Sequence, residues 1–239
     1  MDLKKISIEG INLFTDNEKI ARELYDETFD SKEFESLKKD YHYFDCGAHI
    51  GIHLLKLKNK FPEIEVTCFE PDPKNFKILE KNSKSLKNVK LVNAAISNNN
   101  GSTMFYINGE DTRGNSITSQ WSQRPTTTRE IIVKTVTLSD YINKRSWIKL
   151  DIEGGELDVF KNLEKNKKFD LIEGFHLEVH TTNKDKINKY ESIKSILIGN
   201  HFKILVDEEK EFEYMLPKEL ISWKKNMESR IYTIVAIKK

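Results

Sequence analysis

Residues 41–51 read Tyr41-His42-Tyr43-Phe44-Asp45-Cys46-Gly47-Ala48-His49-Ile50-Gly51. The first five form a short aromatic strand, Cys46-Gly47-Ala48 is a small-residue turn, and Ile50, Leu54, Leu55 and Leu57 then recur at helical spacing. Strand, glycine turn and helix together make the first half of a βαβ unit. A second strand, Glu65 to Phe69, follows and ends at Glu70-Pro71-Asp72-Pro73. Pro73 suits the first turn of a helix whose apolar face carries Phe76, Ile78 and Leu79. Val89 to Ala95 is a third strand. Strands alternating with helices predict a parallel sheet covered by helices on both faces.

Downstream, Asn98 to Gly101 is a turn, and Ser102 to Ile107 with Ile131 to Val136 read as an antiparallel pair. The polar stretch between them holds Arg113, Asn115, Trp121 and Arg124, and a loop of that length inside a compact domain usually carries function. The alternation then resumes with a strand (Trp147 to Asp151), a helix (Glu156 to Leu163) and a strand (Leu171 to Val179). A helix (Ile187 to Ile198) and a strand (Phe202 to Val206) follow. A loop and short helix with Tyr214, Pro217 and Trp223 lead to the last strand, Ile231 to Ile237. Upstream, residues 1–40 read as a helical extension. Asp16 caps a helix with Ile20, Leu24 and Tyr25 on one face, and a second, charged helix runs from Ser31 to Lys39. Residues 41–239 are read as one globular unit.

Composition excludes several classes. The 239 residues carry 39 basic and 38 acidic side chains, a net charge of +1, which argues against a dedicated nucleic-acid binder. No stretch approaches the roughly 18 apolar residues of a membrane span, and Met1-Asp2-Leu3-Lys4-Lys5-Ile6 does not begin like a signal peptide. Cys46 and Cys68 sit in apolar runs, not in a disulfide framework, so the expectation is a soluble, cytoplasmic protein.

In an open α/β sheet, ligands bind at the carboxyl ends of the strands. Gly47 permits a tight turn after the first strand, and Gly51 allows the following helix to pack closely. Glu70, 25 positions after Asp45, can accept both hydroxyls of a ribose or, with Asp72, cap a helix. Period-2 alternation puts Lys149, Asp151 and Glu153 on one side of a third strand end. At a fourth it puts His176, Glu178 and His180 on one face, where a central strand is normally apolar.

The segments Asp45 to Gly51, Phe69 to Pro73, Ala95-Ile96-Ser97-Asn98 followed by Gly101, and Lys149 to Glu156 occur in that order. In this combination the chain resembles the FkbM family of S-adenosylmethionine-dependent methyltransferases over roughly Asp16 to His180. One departure is His49, where the family carries Asn. The resemblance implies a Rossmann-like class I methyltransferase fold with a seven-stranded, mostly parallel sheet whose last strand is antiparallel. It implies that Asp45, Gly47, Ala48, His49 and Gly51 border the methionine part of the donor and Glu70 its ribose. Asn93 and Ala94 flank the adenine, with Ser97 just beyond. It also implies O-methylation of a small-molecule or glycan hydroxyl.

A sulfonium donor is already electrophilic, so the protein must align the acceptor oxygen and remove its proton. Asp151 and Glu153 are the candidates for proton removal, and Lys149 would steady a developing alkoxide. Asp151, Glu178 and His180 offer a mixed oxygen and nitrogen set for Mg²⁺ or Mn²⁺, similar to enzymes of the catechol O-methyltransferase type. Two other readings stay open: a hydrogen-bonded histidine pair, and His180 as a metal-free base tuned by Glu178. Trp121, Arg113 and Arg124 are placed over the acceptor, and His42, His53 and His201 on a strand face, a helix surface and a loop, without a role. A nicotinamide dehydrogenase is disfavoured because no Gly-x-Gly-x-x-Gly follows the first strand. A nucleic-acid methyltransferase is disfavoured by the missing Asn-Pro-Pro-Tyr type of motif. A donor-binding module without catalysis is opposed by intact Asp45, Glu70 and Asp151.

Overall fold

The computed structural model describes residues 2–27, 36–109, 112–118, 127–181, 186–210 and 230–239. Trp121, Arg124, the segment with Tyr214, Pro217 and Trp223, and residues 31–35 of the expected second helix lie outside them.

Among the described residues, a two-stranded hairpin and a three-stranded mixed sheet accompany one large sheet. The chain opens with a hairpin, β1 (Lys4–Ile8) and β2 (Ile11–Thr15), followed by α1 (Glu18–Glu27). The helix expected around Ile20 and Tyr25 is therefore present, but two strands precede it. Glu9 and Gly10 both have positive φ (45° and 83°), the conformation of a two-residue hairpin turn whose twist matches the strands. The cap is Asn17, whose Oδ1 accepts from the Ile20 N–H at 3.2 Å, and not Asp16, which pairs with Lys74.

The main sheet begins with β3 (His42–Cys46), α2 (Ile52–Lys60), β4 (Glu65–Phe69), α3 (Pro73–Ser83) and β5 (Val89–Val92). The expected third strand stops at Val92, and Ala95–Ser97 forms a separate strand, β6. With β7 (Gly101–Asn108) and β8 (Thr127–Thr137), β6 makes a three-stranded sheet in the order β6-β8-β7, in which β7 and β8 are antiparallel as expected. The chain returns through β9 (Ser146–Leu150), α4 (Glu156–Lys165), β10 (Ile172–Thr181), α5 (Lys186–Gly199), β11 (Phe202–Glu209) and β12 (Arg230–Lys238).

The seven strands run β11-β12-β10-β9-β3-β4-β5. β12 is antiparallel to both neighbours, and the pairs from β10 to β5 are parallel. This is the seven-stranded, mostly parallel sheet with an antiparallel last strand.

Both faces of the sheet are covered, so its central strands are buried throughout; every residue of β3 and β9 is buried. Alternation sorts their side chains. Phe44 and Ile148 face α4 and α5, joining Phe160, Phe175 and Ile193. Tyr43 and Trp147 face α2 and α3, joining Leu54, Leu57 and Leu79. Sequence order reverses between β3 and β9, since β4 and β5 lie to one side and β10 to the other. A ligand crevice is expected at the carboxyl ends of these two strands.

Candidate active site

Gly47, just past β3, has φ +86°. A Cβ built there would come 1.9 Å from the Asp151 carbonyl oxygen, so only glycine lets the turns after β3 and β9 meet. The Gly47 and Ala48 N–H groups both donate to the Phe69 carbonyl at 3.0 Å, which ties the turn to the end of β4. Gly51, φ +89°, brings α2 against Leu79 of α3; its Cβ would lie 2.7 Å from that side chain.

The turn opens into a cavity of about 480 Å³. Gly47, Ala48, His49, Glu70 and Ala94 line it, with Phe69, Ile96 and Phe105 giving it an apolar wall. Asp45, Gly51, Asn93 and Ser97 are not among the lining residues. Asp45 is fully buried beneath the turn, and Gly51 sets the packing of α2 on α3. Asn93 donates to the Glu70 carbonyl at 2.7 Å, holding β5 to the turn after β4. Ser97 pairs with Thr137 at the end of β6.

Glu70 receives the His49 N–H on Oε2 (2.8 Å) and the Asp72 N–H on Oε1 (2.9 Å). Burial outweighs these bonds and pushes its carboxyl up to about 8. The two readings of the sequence divide between two residues: Asp72 caps α3 by accepting from the Lys74 N–H at 2.8 Å, and Glu70 faces the cavity. His49 has a positive φ (51°) and its Nε2 lies 2.7 Å from Thr112 Oγ1. The contact made by this departure from the family pattern is thus with the segment 112–118, which roofs the cavity.

At the other end, Lys149, Asp151, Glu153, His176 and Glu178 line the same cavity. Lys149 Nζ donates to the Gly47 carbonyl (3.1 Å) and Asp151 Oδ2 (3.2 Å), and lies 3.7 Å from Asp45 Oδ1. Burial opposes its charge, but Asp151, Asp45 and Glu178 outweigh burial and raise its pKa. His180 is buried behind these groups and does not line the cavity; its Nε2 is 3.5 Å from Glu153 Oε2 and 3.9 Å from Asp151 Oδ1. Its Nδ1 lies 2.9 Å from Glu156 Oε1, whose partner oxygen meets Lys189 at 3.1 Å. Burial would keep the imidazole neutral, but Glu153, Glu156 and Asp151 lift it to about 9.

One ligand atom each from Asp151, Glu178 and His180 lie within 4.8 Å of one another, the trio expected from the sequence. Their spacing suits a small hard cation, but their charges are already answered. Glu178 meets Lys210 at 2.6 Å, Asp151 meets Lys149, and the imidazole carries a proton at neutral pH. Lys210 and His180 overcome burial and hold the Glu178 carboxyl down at about 2.

Sequence reasoning missed several participants. His53, expected on a helix surface, is buried, lines the cavity and lies 2.7 Å from the Tyr43 hydroxyl. Burial drives its pKa well below the usual value. The signal was available, because His53 follows the apolar Ile52 and precedes Leu54 on a helix packed against the sheet. Lys189, Lys210 and Thr112 had no local signal. Arg113, expected over the acceptor, lines the cavity and pairs with Glu23 and Glu27 of α1, each at 3.1 Å.

Residues 45–223 match the family described as the Methyltransferase FkbM domain. The chain belongs to the FkbM methyltransferase family. It is also 28% identical over 213 residues to Methyltransferase 1 of Beauveria bassiana (strain ARSEF 2860), covering 79% of this chain and 82% of the relative. Among solved structures, wild-type Trm5b from Pyrococcus abyssi superposes with a TM-score of 0.51 at 14% identity, over 98% of this chain and 55% of that one. A Pyrococcus horikoshii candidate transferase, PH0793, gives 0.51 at 13% identity, over 98% and 71%. These two likenesses concern the fold alone. An FkbM chain with this sheet has the family and fold of S-adenosylmethionine-dependent methyltransferases. Among its described residues no helix is long and apolar enough to cross a membrane.

Proposed function

We propose that this FkbM protein transfers a methyl group from S-adenosylmethionine to a hydroxyl of a sugar or other small acceptor. The observation that carries this is Asp151, which lies in the same cavity as Glu70 and the glycine turn, with Lys149 at 3.2 Å. The cavity residues fit the donor. The turn at Gly47 and Ala48 lines the cavity, Glu70 offers acceptor sites to ribose hydroxyls, and Phe69, Ala94 and Ile96 suit an adenine ring. When bound, that donor supplies an electrophilic methyl group on a sulfonium.

What the chain must add is alignment and proton removal. Asp151 accepts the hydroxyl's hydrogen bond and then its proton as the oxygen becomes nucleophilic. Lys149 orients that carboxylate through its 3.2 Å contact and steadies charge on the oxygen. His180 does not line the cavity, and against burial Glu153, Glu156 and Asp151 favour its charged form. This supports a carboxylate as the base, with His180 fixing Glu153 and Asp151 by charge. A divalent ion at Asp151, Glu178 and His180 is the second reading, favoured by their spacing. It would have to displace two ammonium contacts and one proton.

Asp151→Asn tests the assignment. Turnover should fall by about 10²–10⁴-fold, while calorimetric titration with S-adenosylhomocysteine shows unchanged affinity. An active variant would move the base to Glu153.

A further inference from the structure

We propose that α1, clasped by Arg113, is the wall of the active site that selects the acceptor. The inference rests on the hydroxyl-acceptor reading above and deepens it. The match to the family model begins at residue 45, whereas α1 ends at Glu27, so this wall lies outside the matched residues. Leu24, Asp26 and Glu27 nonetheless line the cavity that holds Asp151. Glu27 stands toward its acceptor end, sharing the lining with Lys210, Glu178 and Asp151 and close enough to feel their charges.

The helix is held from two sides. Ile20, Ala21 and Tyr25 are buried, and Ala21 and Tyr25 join Ile52 and Leu55 of α2 in one apolar cluster, while Lys56 donates to the Tyr25 carbonyl at 2.8 Å near the helix end. On the roof side, Arg113 divides its guanidinium between Glu23 and Glu27, and its side chain is only 19% exposed. A planar guanidinium with two carboxylates fixes orientation better than a lysine could. The neighbouring Thr112 is bound to His49, so the donor turn, the roof and α1 form one continuous set of contacts. Leu24 gives this wall an apolar patch and Asp26 and Glu27 supply hydrogen-bond acceptors. Such a surface suits an acceptor with C–H faces and several hydroxyls, the chemistry of a sugar.

The test measures methyl transfer from labelled S-adenosylmethionine to a fixed panel of monosaccharides, alkyl glycosides and phenols. Wild type is compared with Leu24→Ala, Arg113→Met and the outer-face control Arg22→Ala, and S-adenosylhomocysteine affinity is measured for each. Leu24→Ala and Arg113→Met should change the kcat/KM ratio between acceptors by about tenfold, with donor-product affinity held within about twofold. Arg22→Ala should leave the ranking as it is. Unchanged ranking in the two wall variants overturns this inference alone. A parallel loss of donor-product affinity also overturns it, because α1 would then be a general support of the fold. If wild type methylates no hydroxyl, the acceptor reading fails and this inference falls with it.

Discussion

Glu70 shows how one carboxylate serves two opposed demands. Its two oxygens each receive a backbone N–H, which favours the ionised form, yet burial dominates and sets the pKa near 8. An unfolded glutamate titrates near 4.3. Below that pH both states hold the proton, and the stabilisation from binding it in the folded state is fully present. As pH rises toward 8 the unfolded chain ionises first, and that stabilisation is lost by at most about 1.4 kcal/mol per pH unit. Glu70→Gln removes this dependence. In urea unfolding the variant should gain on wild type between pH 5 and pH 8, and a constant difference across that range would refute the assignment. The same variant should bind S-adenosylhomocysteine more weakly. A carboxylate at a strand tip was legible in the sequence, but its acidity was not, since that depends on the group's burial in the assembled fold.

At the scale of elements, α3 was readable from four residues. Pro73 sits in its first turn, and Asp72 Oδ1 accepts the Lys74 N–H. Asp72 does more than cap: its other oxygen accepts the Asn115 amide at 3.0 Å, hooking the cavity roof to the helix. Asp72→Ala should therefore cost the roughly 1 kcal/mol of a lost cap and about 1–3 more for the buried Asn115 amide left unsatisfied. Thermal unfolding would check this, and a shift no larger than that of a cap alone would show that Asn115 finds another partner. Boundaries were less legible. The apolar run Val89 to Ala95 looked continuous, but Asn93 leaves the ladder to bond the turn after β4 and the chain changes sheets. The first hairpin escaped notice because its turn is Glu9-Gly10, not Asn-Gly or Asp-Gly, and the strand Lys4–Ile8 opens with two lysines.

Across the whole molecule, the acceptor end is a charge cluster drawn from distant parts of the chain. β9 and the turn after it supply Lys149, Asp151 and Glu153, β10 supplies Glu178 and His180, and Lys189, Glu156 and Lys210 enclose them. Because the two lysines at Asp151 and Glu178 already provide the positive charge an ion would bring, turnover should persist in excess chelator. Loss in chelator with recovery on adding Mg²⁺ or Mn²⁺ would instead establish the trio as a metal site. The alternation of strands and helices, the glycine turn at Gly47, the capped helix after Pro73 and the polar strand tips were all determined by the sequence itself. Each of these is a local pattern, set by period, by φ at one glycine or by one side chain meeting its own backbone. Which partners those polar groups meet was decided only by the tertiary structure. The Cβ-free contact of Gly47 with Asp151, the lysine that answers Glu178, and the Arg113 clasp on α1 span tens of residues. Such contacts exist only once the sheet brings β3, β9 and β10 side by side, and both charge state and cavity shape depend on that assembled proximity, not on residue spacing.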